Sequence, residues 1–116
     1  MNEKLFSRDY WFSLRTNTRV NGQTGRLRCP WWCEDVLQNE EVSQVFVRKT
    51  ADLGDIQIDQ YATSRLSHHW LEAEHNGERF IADGTAGQFD PQYPDGFYGT
   101  FEQAPDSLKQ IYSKKI

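Results

Sequence analysis

The sequence feature that most constrains the fold is a predicted β-hairpin around Asn76-Gly77. Two runs typical of strands, HHWLEAEH and ERFIADGT, flank this dipeptide. Asn-Gly between such runs is the strongest short-range signal for a two-residue type I′ turn, because both central residues of that turn need a positive φ. The turn would pair His75 with Glu78. We therefore expect two antiparallel strands whose register is set by the turn.

This register places one of two adjacent histidines beside an acidic residue. With a two-residue turn, Trp70 opposes Asp83 and His68 opposes Thr85, so His68 and Asp83 are diagonal neighbours on one face of the hairpin. His69 lies on the other face, because side chains alternate along a strand. A turn of odd length would reverse the parity and select His69 instead.

The two cysteines of the chain flank Pro30-Trp31-Trp32. Proline is favoured at the first position of a helix, and the residue before it is biased away from the α region. We therefore expect a helix from Pro30 to about Gln38, with Cys29 at its N-cap beside the N–H groups of the first turn. That position stabilises a thiolate. Cys33, one turn further on, is expected to be a small apolar core residue.

Other interpretations of the cysteines stay open. Two inert, buried cysteines are one of them. A disulfide between residues four apart on one helix has poor geometry. A zinc site could use both cysteines but only one of the adjacent histidines, since these point to opposite faces, so it would have at most three ligands. We predict no metal site.

Together, the thiol, the imidazole and the carboxylate have the types needed for nucleophilic catalysis. The Cys29 thiolate would attack a carbonyl carbon, and His68 would take the thiol proton and later protonate the leaving amine. Asp83 would orient the imidazole and stabilise its charged form. The backbone N–H of Cys29 and a side-chain amide would hold the oxyanion. This chemistry needs no cofactor, and we expect none.

These motifs, in this order, resemble the papain-like fold in its transglutaminase-like and bacterial protein-glutamine deamidase branches. The resemblance covers roughly residues 23–92. It implies an α+β, minimal papain-like fold in which the nucleophile helix packs on a small antiparallel sheet. That family usually has a small residue near the nucleophile, where this chain has Pro30-Trp31-Trp32, so Cys33 stays open as a second candidate. The matching residues are Cys29 with Glu34 and Leu37, HHWLE at 68–72, and IADGTAGQF at 81–89.

The resemblance also implies an activity and further site residues. The activity is acyl transfer through a thioester on a carboxamide or peptide carbonyl, as in a protein-glutamine deamidase or a transglutaminase-like enzyme. A cysteine peptidase or amidase of the same fold is the alternative. Gln88 would help to polarise the substrate carbonyl, and Gln23, six residues before Cys29, would belong to the oxyanion hole. Trp70 would contribute to substrate binding.

A non-catalytic, peptide-binding module that keeps the fold is the rival function. Its binding groove would be aromatic, or else the same residues would form the core of a small domain. The aromatic residues concerned are Trp31, Trp32, Trp70, Phe89, Tyr93, Phe97, Tyr98 and Phe101.

Composition limits the class of protein. We expect a single domain over residues 1–116, long enough for one hydrophobic core. A net charge of −4, with no basic block longer than Lys114-Lys115, disfavours nucleic acid as a partner. The resemblance implies a protein or peptide substrate. No apolar run reaches the length of a transmembrane helix. No secretory signal is visible, so we expect the protein to be cytoplasmic where it is made; delivery to another cell as an effector or toxin domain stays open.

The remaining secondary structure is predicted more coarsely. Residues 3–15 favour an N-terminal helix. Residues 41–60 fit either a strand or an extension of the Cys29 helix, and residues 56–62 favour a strand. Residues 84–100, rich in glycine, proline and aromatic residues, are predicted to form an ordered loop. A closing helix should follow Ala104, capped by Asp106 or Ser107.

Overall fold

The computed structural model describes residues 3–14, 29–59 and 62–114, with the backbone alone for 29–31, 55–59 and 62–66. These residues form an α+β fold around a four-stranded antiparallel sheet of order β1-β2-β3-β4, as the sequence predicted for the fold class. The strands are β1 Val47–Asp59, β2 Ala62–His75, β3 Glu78–Asp83 and β4 Phe97–Thr100. The α-helices are α1 Arg8–Ser13, α2 Cys29–Leu37, α3 Glu40–Ser43 and α4 Asp106–Tyr112, with 3-10 turns at Glu3–Phe6, Ala86–Gln88 and Phe101–Gln103.

None of the helices in these described ranges is both long enough and apolar enough to cross a bilayer.

The hairpin of β2 and β3 has the predicted turn and register. Asn76 and Gly77 adopt φ values of 54° and 81°, as a type I′ turn requires. The pairing begins at His75 and Glu78 and ends at Leu71 and Ala82. The pairs predicted beyond this point are not part of the ladder, because β3 ends at Asp83 and the chain turns into the 3-10 turn that follows.

A packed layer lies on each face of the sheet. Side chains of α1, α2 and α3 pack on one face of the sheet. They contact odd-numbered residues of β2 and even-numbered residues of β3. The buried residues of this layer include Trp11, Trp32, Cys33, Val36, Val42, Leu71, Ala73, Phe80 and Ala82. Helix α4 packs on the opposite face, where the buried members include Trp70, Ile81, Phe97, Leu108, Ile111 and Tyr112. Alternation along β2 and β3 places His68 and Asp83 on the α4 face.

Several predicted elements differ in their bounds. The N-terminal helix is two short pieces, a 3-10 turn and α1, separated at Ser7. The ambiguous segment 41–60 contains most of α3 and the whole of β1, and β1 includes residues 56–59 of the strand predicted at 56–62. Strand β4 lies inside the segment 84–100 that was predicted to be a loop. The glycine and proline content of this segment gave no indication of a strand.

The predicted cap of the closing helix is wrong. Helix α4 begins at Asp106, and Pro105 occupies the N-cap without a side-chain hydrogen bond. The hydroxyl of Ser107 donates instead to the Asp90 carboxylate, at 2.7 Å. The bond ties α4 to the loop that follows Phe89.

Helix α2 is seated by close packing between Trp32 and Gly84. The Trp32 side chain is fully buried, and its indole occupies the space that a Cβ atom at Gly84 would need. Gly84 directly follows Asp83, so the first turn of α2 lies beside the end of β3. Only glycine leaves room for this approach.

We expect Gly84→Ala to lower the free energy of unfolding by about 1–3 kcal/mol, because the added methyl group collides with the indole. Urea unfolding measures the change. Trp32→Phe removes part of the colliding ring, so the same substitution should cost less in that background. An equal cost in both backgrounds would rule out this contact as the cause.

Candidate functional site

A buried histidine–aspartate pair forms the centre of the site. Nε2 of His68 lies 2.7 Å from Oδ2 of Asp83, and both side chains have 0% exposure. The contact is the one that the hairpin parity predicted. A carboxylate can only accept, so Nε2 carries the proton and Nδ1 has the lone pair when the ring is neutral. Nδ1 is therefore the nitrogen that can act as a base.

The Asp83 carboxylate has two further partners. The backbone N–H and the hydroxyl of Thr85 donate to Oδ1, at 3.2 Å and 3.4 Å. The phenol of Tyr112 donates to Oδ2 at 2.7 Å. Sequence reasoning missed Tyr112, which lies 29 residues away on α4 in a stretch without any motif. Only the apolar face of that helix, which directs Leu108, Ile111 and Tyr112 towards the sheet, could have suggested it.

Gln88 and Phe89 cover the other side of the His68 ring. The Gln88 side-chain amide donates to Nδ1 across 3.2 Å and also reaches the Thr85 hydroxyl at 3.4 Å. The Phe89 ring meets the imidazole edge to face, with centroids 4.7 Å apart. The structure thus brings Gln88 to the site. Its amide occupies the basic lone pair, so a proton donor must displace it to reach Nδ1.

Trp70 packs against the ring of His68. Its ring stacks on His68 with centroids 5.7 Å apart, and its indole N–H donates to Glu72 at 3.0 Å. Arg79 in turn pairs with Glu72 through both carboxylate oxygens. Trp70 has 0% exposure and its N–H is bonded, so the residue packs against the base. Its substrate-binding role stays a prediction.

The two cysteines have different positions on α2. The helix begins at Cys29, one residue earlier than predicted, whereas Cys33 has 0% exposure within the core of the α2 face, as expected for an apolar core residue. That face is opposite to His68, so Cys33 is not placed to exchange a proton with it. The side chain of Cys29 and the whole of Gln23 lie outside the described residues.

His69 has the opposite electrostatic environment from His68. The Thr50 hydroxyl lies 3.0 Å from Nδ1 of His69, and the Arg48 guanidinium donates to the same nitrogen at 3.3 Å. Burial lowers the pKa of His69, and the charges of Arg48 and His68 lower it further. A neighbouring guanidinium disfavours the imidazolium that a base must form, whereas a carboxylate stabilises it. Of the two histidines, His68 is the one suited to act as a base.

The aromatic residues proposed for a binding groove are largely buried. Trp32 and Trp70 have 0% exposure, and Phe97 and Tyr98 have 5% each. Phe89, Tyr93 and Phe101 are partly buried and pack against the α4 core. Trp31 lies outside the residues whose side chains are described. Most of the described aromatic residues thus belong to the core, whereas Tyr93, Phe97 and Tyr98 also line a surface pocket. The binding groove stays a prediction.

Comparison of the chain with family models, with curated proteins and with solved structures finds no match.

We expect Arg48→Gln to raise the pKa of His69, because a repelling charge is removed from beside the ring. NMR titration of the histidine ring signals measures the change. Lys49→Gln is the matched control, since it removes one positive charge from the opposite face of β1. An equal shift in both variants would contradict the assigned contact.

The Tyr112 phenol should make the protein sensitive to alkali. Burial raises the pKa of Tyr112 well above 10, and the Asp83 carboxylate adds to this. Above the unfolded-state pKa of about 10, the unfolded chain loses a proton that the folded chain keeps, so the free energy of unfolding should fall by up to about 1.4 kcal/mol per pH unit.

Denaturant unfolding between pH 9 and pH 11, values chosen about one unit either side of that pKa, measures this dependence. The decline should be shallower in Tyr112→Phe. Tyr10→Phe, on α1, is the control for the loss of a tyrosine hydroxyl away from Asp83. Identical slopes in all three proteins would show that Tyr112 titrates normally.

Proposed function

We propose that the protein is a cysteine-dependent acyl-transfer enzyme that acts on carboxamides, as a protein-glutamine deamidase or a transglutaminase-like enzyme does. The observation that carries the proposal is the convergence of one short stretch, D-x-T-x-x-Q, on the His68 ring. Asp83 contacts Nε2, Gln88 contacts Nδ1, and Thr85 contacts both Asp83 and Gln88. A base with one nitrogen fixed by a carboxylate and the other directed at an amide is suited to proton transfer at a carbonyl.

We further propose a papain-like fold of the transglutaminase-like branch. Its support is the order of elements: a helix that begins at a cysteine, a strand that carries the histidine, and a neighbouring strand that ends at the aspartate. Helix α2 packs against β2 and the strands are antiparallel, which the proposed fold requires.

The Cys29 thiol would reach His68 past the end of β3. The β2–β3 pairing ends at Leu71, so His68 lies beyond the part of β2 that pairs with β3. Gly84 follows Asp83 and packs under Trp32 in the first turn of α2, the turn that begins at Cys29. A side chain at the start of this turn can approach the α4 face around the end of β3.

The proposed reaction has two halves. Nδ1 of His68 takes the thiol proton, and the Cys29 sulfur forms a bond to the carboxamide carbon. Nδ1 then returns the proton to the leaving nitrogen, so that ammonia departs and a thioester remains. Water, activated by the same nitrogen, hydrolyses the thioester to a carboxylate and regenerates the thiol. An amine in place of water gives a transamidated product.

Gln88 would change partners during this cycle. In the structure its amide donates to Nδ1. When the ring takes the thiol proton, Nδ1 no longer accepts, and the amide is released to donate to the carbonyl oxygen of the substrate. A donor aimed at the developing oxyanion is typically worth a factor of about 10²–10³ in rate.

The activity is tested with a panel of glutamine-containing peptides. Ammonia release with conversion of glutamine to glutamate indicates deamidation, and incorporation of a fluorescent primary amine indicates transamidation. Cleavage of the backbone would instead establish a peptidase of the same fold. Cys29→Ala should abolish the activity. Cys33→Ala, which leaves only a small cavity in the core, should keep most of the activity.

No turnover of any peptide, together with tight binding of one of them, would favour the non-catalytic module and would contradict the proposal. Thioester capture on Cys29 by mass spectrometry would support it directly.

Thiol reactivity gives a separate prediction. Iodoacetamide at pH 6, about two units below the titration of an ordinary thiol, should modify Cys29 much faster than Cys33. His68→Gln should slow this labelling at least about tenfold, because the thiolate loses its proton acceptor. His69→Gln is the matched control and should leave the rate within about twofold, since its ring is not the base. A larger effect of His69→Gln would reassign the base.

A further inference from the structure

The Asp83 carboxylate accepts hydrogen bonds from four donor groups on three residues. His68 and Tyr112 each donate to Oδ2 at 2.7 Å, and Thr85 donates to Oδ1 twice. Two oxygens offer about four lone-pair positions, so the carboxylate is saturated. The rotation of the carboxylate is thereby fixed. Of the three donor residues, Tyr112 is the one that lies outside the hairpin and the turn after it.

The Tyr112 phenol is confined to a donor role. The side chain has 0% exposure, and burial raises its pKa well above 10, with the Asp83 charge acting in the same direction. The proton therefore stays on the phenol throughout the range in which the site would work. Its ring also packs against Trp70, with centroids 5.0 Å apart, which limits its orientation.

A second bond holds the same residue in place. The backbone carbonyl of Tyr112 accepts from the Arg79 guanidinium at 3.1 Å, and Arg79 also pairs with Glu72 on β2. The end of α4 is thus fixed to the hairpin through its main chain and to Asp83 through its side chain. These two attachments determine where the phenol oxygen lies relative to Oδ2.

We infer that Tyr112 is a positioning residue of the site: it fixes the orientation of the Asp83 carboxylate towards Nε2 of His68 and, by sharing Oδ2, limits how strongly that oxygen attracts the Nε2 proton. Its effect on turnover rests on the proposed function, whereas its effect on the His68 ring does not. The C-terminal helix is, on this inference, part of the site and not only a cover for the sheet.

The test compares the wild type with Tyr112→Phe, which removes the hydroxyl and keeps the ring. Oδ2 then has one donor fewer and its charge is less dispersed, so it should hold the Nε2 proton more strongly. ¹⁵N-resolved NMR should show the Nε2–H signal of His68 moving downfield and the ring becoming protonated at higher pH than in the wild type. Tyr98→Phe, which removes a hydroxyl bonded to the Asp95 carbonyl, should leave the Nε2–H signal and the ring titration of His68 unchanged.

Turnover provides the second readout. Loss of one hydrogen bond to the orienting group should lower kcat about three- to tenfold with little change in KM, because substrate contacts are retained. The pH dependence of kcat should shift upwards with the ring titration.

Unchanged His68 signals in a folded Tyr112→Phe protein would overturn the inference and leave Tyr112 a core residue only. If the wild type has no activity, the proposed function fails, but the NMR comparison still decides the role of Tyr112. A measurement on the wild type alone guards against a variant that does not fold: an NOE between the Tyr112 hydroxyl proton and the Nε2 proton of His68 is expected, and its absence would contradict the shared acceptor.

Discussion

The arrangement of the site depends on the buried carboxylate of Asp83. An ionised carboxylate without partners would be very costly to bury, but here every lone-pair position faces a donor. The donors come from β2, from the turn after β3, and from α4, so the carboxylate joins three parts of the chain. Removing Asp83 would leave buried donors without an acceptor, in addition to releasing the imidazole.

A closed network extends from this carboxylate around the α4 face of the sheet. Tyr112 connects Asp83 to Arg79, Arg79 to Glu72, and Glu72 to the Trp70 indole, which stacks back on His68. The polar groups of this network satisfy one another, and they also order a core that apolar packing alone would leave less specific. The candidate base is thereby held by Trp70 against its ring and by Asp83 at Nε2, and the Gln88 amide lies at Nδ1.

The sequence predicts the hairpin part of the site well because parity is a local property. The Asn76-Gly77 turn determines the pairing register of β2 and β3, and the register determines which side chains share a face of the sheet. His68 therefore lies on the same face as Asp83, and His69 lies on the opposite face beside Arg48. The resemblance implied a role for Gln88 at the substrate carbonyl, which stays a prediction; the structure places its amide at Nδ1 of His68. The contact of Tyr112 with Asp83 and the pairing of β4 with β3 were not predictable in the same way. Neither depends on a local sequence pattern. The aromatic character of Trp70 is visible in the sequence, but its burial against α4 depends on the tertiary packing.

The central claim is that the Cys29 thiol, at the start of α2, works with the lone pair that Asp83 leaves on His68. The most direct test is a crystal structure of the wild-type protein that records the distance from Cys29 Sγ to His68 Nδ1. The account predicts a separation of about 3–4 Å, with the Gln88 amide beside the sulfur. A sulfur directed into the core of the α2 face, more than about twice that distance from the ring, would contradict it.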